Sequence, residues 1–110
     1  MLIGWSSKDV SINERVLVTG QAYERISKGV FDPTTVTALV MDDGKDYVIF
    51  ISGDFTSIGG DLIREVKSAV SRKMPEIDGR KIIFNATHTH TAPRYMTMGT
   101  SGYDKAPYFL

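Results

Sequence analysis

The spacing of apolar residues changes along the chain, and each change marks an element. Leu2-Ile3-Gly4-Trp5-Ser6-Ser7 reads as an opening strand, and Asp9-Val10-Ser11-Ile12-Asn13 alternates polar and apolar residues. Arg15-Val16-Leu17-Val18-Thr19-Gly20 is a further strand candidate, after which Gln21 to Pro33 turns polar, with Gly29 and Asp32-Pro33 as loop punctuation. Arg25, Lys28 and Asp32 in that loop read as solvated surface. Val36-Thr37-Ala38-Leu39-Val40-Met41 and Tyr47-Val48-Ile49-Phe50-Ile51-Ser52 are β-prone runs joined across Asp43-Gly44, which predicts a hairpin. The second run is apolar at consecutive positions, as a central strand covered on both faces would be. Leu62, Ile63, Val66, Ala69, Val70 and Met74 then recur at helical spacing until Pro75. Lys81-Ile82-Ile83-Phe84 follows a turn and reads as a last, buried strand.

Strand, helix, strand in that order predicts a right-handed β-α-β crossover with parallel strands. The expected fold class is therefore α/β: a mixed sheet in which a β-hairpin feeds the crossover. Parallel pairing brings the carboxyl ends of both strands to one edge, where open α/β sheets tend to bind ligands. Asp54 ends one strand there, and the other leads into Asn85-Ala86-Thr87-His88-Thr89-His90-Thr91-Ala92-Pro93, which holds both histidines of the chain. Strand alternation puts residues two apart on one face, so the two imidazoles are expected to project together, with Thr87, Thr89 and Thr91 opposite. Two imidazoles aimed at one volume make a metal-site proposal, although strand-end histidines also hydrogen-bond neighbouring threonines. Asp54 reads either as a member of this cluster or as a turn or N-cap residue before the helix.

Composition narrows the readings. The chain has 110 residues, 42% of them hydrophobic, so it is the size of one domain with a core. Thirteen basic residues balance thirteen acidic ones, and no run of one sign stands out. That argues against nucleic acid and against a polybasic membrane segment as partners. No apolar run approaches a transmembrane segment, and Met1-Leu2-Ile3-Gly4-Trp5 lacks the features of a signal peptide, so a soluble, cytoplasmic chain is expected. The absence of cysteine excludes disulfides and thiolate metal sites. A catalytic zinc usually takes three protein groups plus water, and two histidines do not complete that set.

Several segments, in order and at similar spacing, carry a family resemblance. Thr87-His88-Thr89-His90-Thr91-Ala92-Pro93 resembles the Thr-His-Thr-His-Ser-Gly-Pro segment of neutral/alkaline ceramidases, which are zinc-dependent amidases, and of the uncharacterised bacterial proteins grouped with them. Ile3-Gly4-Trp5-Ser6-Ser7-Lys8-Asp9-Val10, Gly29-Val30-Phe31-Asp32-Pro33, Ala38-Leu39-Val40-Met41-Asp42-Asp43-Gly44 and Ile51-Ser52-Gly53-Asp54 are similar to the amino-terminal part of that family. The resemblance implies that residues 1–110 are the amino-terminal portion of a larger catalytic domain. It makes His88 a zinc ligand and places His90 in the active site beside the substrate. The family's other ligands, a histidine, a glutamate and a tyrosine, come from much later in a longer chain. The implied reaction is hydrolysis of an amide or lipid-like small molecule, with the rest of the enzyme chain or a second subunit as partner. Asp54 is inferred, from sheet geometry, to orient an imidazole. Thr91-Ala92 departs from the usual Ser-Gly, which puts the ceramidase pocket itself in question. The competing expectation is a non-catalytic structural or interaction domain that keeps the fold.

Overall fold

The computed structural model describes residues 1–94, and every structural statement below refers to these. β1 (Leu2–Asp9), β2 (Thr35–Asp42) and β3 (Tyr47–Gly53) are antiparallel neighbours, and β4 (Ile82–Ala86) joins β3 in parallel, giving the order β1-β2-β3-β4. α1 (Gly60–Lys73) connects β3 to β4. The mixed sheet, the hairpin and the parallel crossover are those expected from the apolar pattern.

Local chemistry explains why these elements start and stop where they do. In the hairpin, Gly44 takes φ +87° and its N–H donates to Asp42 Oδ1 at 2.7 Å, while Asp43 Oδ1 accepts from the N–H groups of Lys45 and Asp46. The run of aspartates thus supplies the acceptors that the turn backbone needs. α1 begins after Gly59 with Asp61 in its first turn and ends on Arg72 and Lys73, charges that oppose the helix dipole at both ends. A single 3-10 turn at Gly79–Lys81 then sets the start of β4. Asp78 accepts the Arg80 N–H, and hydrogen bonding from the Arg80 side chain holds its carboxyl down to about 2. The Asp78 N–H donates to the Tyr47 hydroxyl at 2.8 Å, and Lys81 pairs with Asp46 while lying over the Tyr47 ring. These contacts tie the end of the crossover to the start of β3.

The register sorts the sheet into two unlike faces. On one, Val40, Ile49 and Ile82 form a row beside Ala38, Ile51 and Phe84, and Ile82 is only 4% exposed. Leu62, Ile63, Val66, Ala69 and Val70 of α1 are half-buried, as a crossover helix covering that face requires. On the other, Trp5, Leu39, Phe50 and Ile83 line up across all four strands beside Ile3, Met41 and Val48. Trp5 is 74% exposed and Ile83 47%. Toward the carboxyl end of β3 this open face turns polar, with Ser7 and Thr37 hydroxyls 2.7 Å apart and Asn85 donating to Ser52. The sequence expectation that β3 is covered on both faces is therefore corrected: Phe50 is 38% exposed.

A second correction concerns Arg15–Gly20, which is not a sheet strand. Val16, Leu17 and Val18 are buried, but they make only isolated bridges, Leu17 with Ile26 and Val18 with Pro93. Their backbone groups are satisfied locally and by the histidine segment: the Val18 N–H donates to Arg25 O, the Thr19 N–H to Ala92 O and the Arg94 N–H to Leu17 O. An apolar run marks burial, and here the burial is in an irregular layer clamped over residues 90–94.

Candidate functional site

β3 and β4 end level with each other, at Gly53 and Ala86, and the chain beyond both ends builds the site. Phe55 folds back so that its carbonyl accepts from the His88 N–H at 2.9 Å, while the Thr87 N–H donates to Gly53 O. Thr56 fixes the next turn by donating its hydroxyl to Thr89 O at 2.7 Å. His88 lies past the end of β4 with φ +62°, in the left-handed region where histidine is one of the few side chains enriched. Strand alternation therefore does not operate at His88 and His90. The two imidazoles nonetheless converge, with ring centroids 4.9 Å apart, edge to face, and Nε2 to Nε2 at 3.3 Å.

The ring atoms have defined roles. His88 Nδ1 lies 2.7 Å from the Thr56 carbonyl oxygen, which can only accept, so Nδ1 carries the proton and Nε2 of the neutral ring presents its lone pair. A carbonyl behind the distal nitrogen is the usual support for a metal-binding histidine. Two nitrogens bound to one tetrahedral zinc at the usual lengths lie about 3.3 Å apart, so the observed Nε2 separation suits a shared metal as well as a direct hydrogen bond. Among the described residues no third histidine or carboxylate joins them. Both histidines are exposed. A cleft of about 650 Å³ runs alongside, walled by Arg25, Lys28, Phe31, Thr91 and Pro93, but neither imidazole lines it.

Three residues that sequence reading did not assign to the site hold the histidines, two at His90 and one at His88. Gly20, at φ +99°, presses its backbone against the imidazole, and a Cβ there would sit 2.5 Å from His90 Cγ. Arg25, read from sequence as solvated, donates to His90 O at 3.0 Å. The Thr56 carbonyl makes the contact to His88 that had been expected of Asp54. Gly20 had a sequence signal, a lone glycine closing an apolar run, whereas nothing in the sequence pairs Arg25 or Thr56 with residues more than thirty positions away.

Asp54 lies at the expected sheet edge but serves the backbone. Its Oδ2 accepts from the Thr35 N–H at 3.0 Å and the Thr35 hydroxyl at 2.9 Å, and its Oδ1 from the Thr87 hydroxyl at 3.2 Å. Nor is it the helix N-cap, which is Gly59. The Thr35 N–H, with smaller help from the two hydroxyls and against desolvation, holds the Asp54 carboxyl below the usual range. The sign follows by linkage: a carboxyl depressed in the native state adds stability that is full above its unfolded value near 4 and is lost as pH falls through the native value. Asp54→Asn is accordingly expected to lower stability by about 1–2 kcal/mol at pH 7 and by less at pH 3. Urea unfolding at the two pH values checks this, and an equal loss at both would contradict it.

No protein-family model matches the sequence, and no curated protein matches it significantly. Solved structures do match. The neutral ceramidase from Pseudomonas aeruginosa aligns at TM-score 0.74 and 19% identity, over 83% of this chain and 15% of that one. A ceramidase complexed with C2 aligns at TM-score 0.76 and 20% identity, over the same shares. The fold is that of part of a neutral ceramidase. The chain spans about one seventh of the length of these ceramidase chains, and at such identity the likeness is one of fold.

Proposed function

We propose that this chain is the amino-terminal part of a ceramidase-like, zinc-dependent amidase that cleaves a ceramide N-acyl linkage or a related amide and is inactive alone. The observation that carries the reading is the His88–His90 pair, its Nε2 atoms 3.3 Å apart and the His88 tautomer set by Thr56. His88 would hold the metal through Nε2. Zinc, when bound, lowers the pKa of water toward neutrality and polarises a scissile carbonyl. His90, with its Cβ and ring braced by Gly20, would present a ring N–H to the oxygen on which charge develops. Asp54 acts at one remove, holding the ends of β2, β3 and β4 together through Thr35 and Thr87.

Inactivity of the isolated chain follows from the donor count. A metal held by one or two side chains in an exposed setting is neither tightly bound nor shaped for reaction. The purified 110-residue chain is therefore expected to show no chelator-sensitive amide hydrolysis. The same chain with its coding continuation is expected to bind one zinc and to hydrolyse an N-acyl sphingoid or simpler N-acyl amine. Hydrolysis by the short chain, abolished by chelator and restored by zinc, would mean that the site is completed between subunits. A continuation that binds no metal would favour a non-catalytic domain.

A further inference from the structure

The open face of the sheet is too apolar to be a finished surface. Trp5, Leu39, Phe50 and Ile83 make one unbroken row across all four strands, with Ile3 and Met41 beside it, and no described element covers them. From this we infer that the face is an internal docking surface, and that its occupant is a further apolar layer of the same polypeptide: the part of a ceramidase-like chain that has no counterpart here. The inference rests on the proposed function, since it assigns the surface through which the remainder of the proposed enzyme would join the histidine segment.

Three observations favour that occupant over a second copy of the chain. The matched ceramidase chains are several times longer than their aligned portion, so ample polypeptide is available in that architecture. Four strands and two apolar rows cover on the order of 300 Å², whereas a stable association of separate chains usually buries about 800 Å² on each. A tethered layer needs no such area, because its effective concentration is high. Lastly, the apolar rows give way to the Ser7, Thr37, Ser52 and Asn85 row and then to Asp54 and Thr87, one residue before His88. A layer packed on the apolar rows and continued in the same direction would therefore reach Asp54 and Thr87, next to the histidine segment.

Trp5 is the chain's single tryptophan and stands on the edge strand β1, at the head of the Leu39, Phe50 and Ile83 row, so its emission reports on coverage of that row. In the 110-residue chain its emission should be solvent-like and readily quenched by acrylamide. In the chain extended by its coding continuation, emission should shift to the blue and the quenching constant should fall at least threefold. Trp5→Glu should leave the circular dichroism of the short chain unchanged, because the side chain is exposed there, yet lower the melting temperature of the extended chain. Trp5 equally quenched in both chains would overturn the inference, as would a reading frame that stops at Leu110. Protection in the short chain that rises with its concentration, together with a dimer in light scattering, would instead assign the face to a second copy. Zinc content is scored separately: a protected Trp5 without metal defeats the proposed function and leaves the docking surface standing.

Discussion

On the proposed function, replacing His88 by alanine in the chain extended by its coding continuation is expected to remove zinc and activity together, while His90→Ala removes activity and leaves the metal. His88 has the features of a ligand: its Nδ1 proton is committed to the Thr56 carbonyl at 2.7 Å, which leaves Nε2, 3.3 Å from His90 Nε2, as the donor to a metal. Without it, the metal loses one of a small set of donors, and affinity falls by orders of magnitude. His90 has a different support, a glycine against its ring and Arg25 on its carbonyl. Loss of a group that only stabilises developing charge should lower kcat by about 10²–10³, or about 3–4 kcal/mol, with metal intact. Metal analysis beside kinetics decides the matter. Equal zinc loss in both variants would make the 3.3 Å pair a two-histidine metal ligand set, and normal zinc in His88→Ala would refute its role as a ligand.

Gly20→Ala is expected to act on the site from a distance in sequence of seventy residues. The new Cβ meets His90 Cγ at 2.5 Å, and the positive φ adds strain for any L side chain. Gly44→Ala is the control, because Gly44 also has positive φ, +87°, but open space around its Cβ position. Gly44→Ala should cost about 1 kcal/mol and leave the histidine resonances unmoved. Gly20→Ala should cost about 2–3 kcal/mol, shift the His90 ring signals in an NMR spectrum and, on the proposed function, lower kcat of the extended chain without lowering zinc content. If the two variants behave alike, backbone strain accounts for both and Gly20 does not position His90.

The local architecture could be read from the chain because it depends on near neighbours. Asp42-Asp43-Gly44 provides both the positive φ and the acceptors for its own turn, and apolar residues three and four apart can be satisfied only by a helix with one covered side. Parallel pairing of β3 with β4, and hence the shared edge of Asp54 and the histidine segment, follows from the crossover that separates them. Other features depended on groups far apart in sequence. Val16-Leu17-Val18 has the composition of a strand, but its hydrogen-bond partners are Ser27, Arg25 and Arg94, and the adjoining Thr19 donates to Ala92, so only packing reveals that it clamps the histidine segment. Likewise, period two brought His88 and His90 together for a reason that does not hold. The left-handed turn at His88, the Thr56 carbonyl and the Gly20 backbone bring the rings within 3.3 Å, and each acts through a contact that no local pattern encodes. The carboxylate at Asp54 was placed correctly and assigned the wrong partner, because the sheet edge sets where a side chain begins while the nearest unsatisfied donor, here the Thr35 N–H, decides where it points.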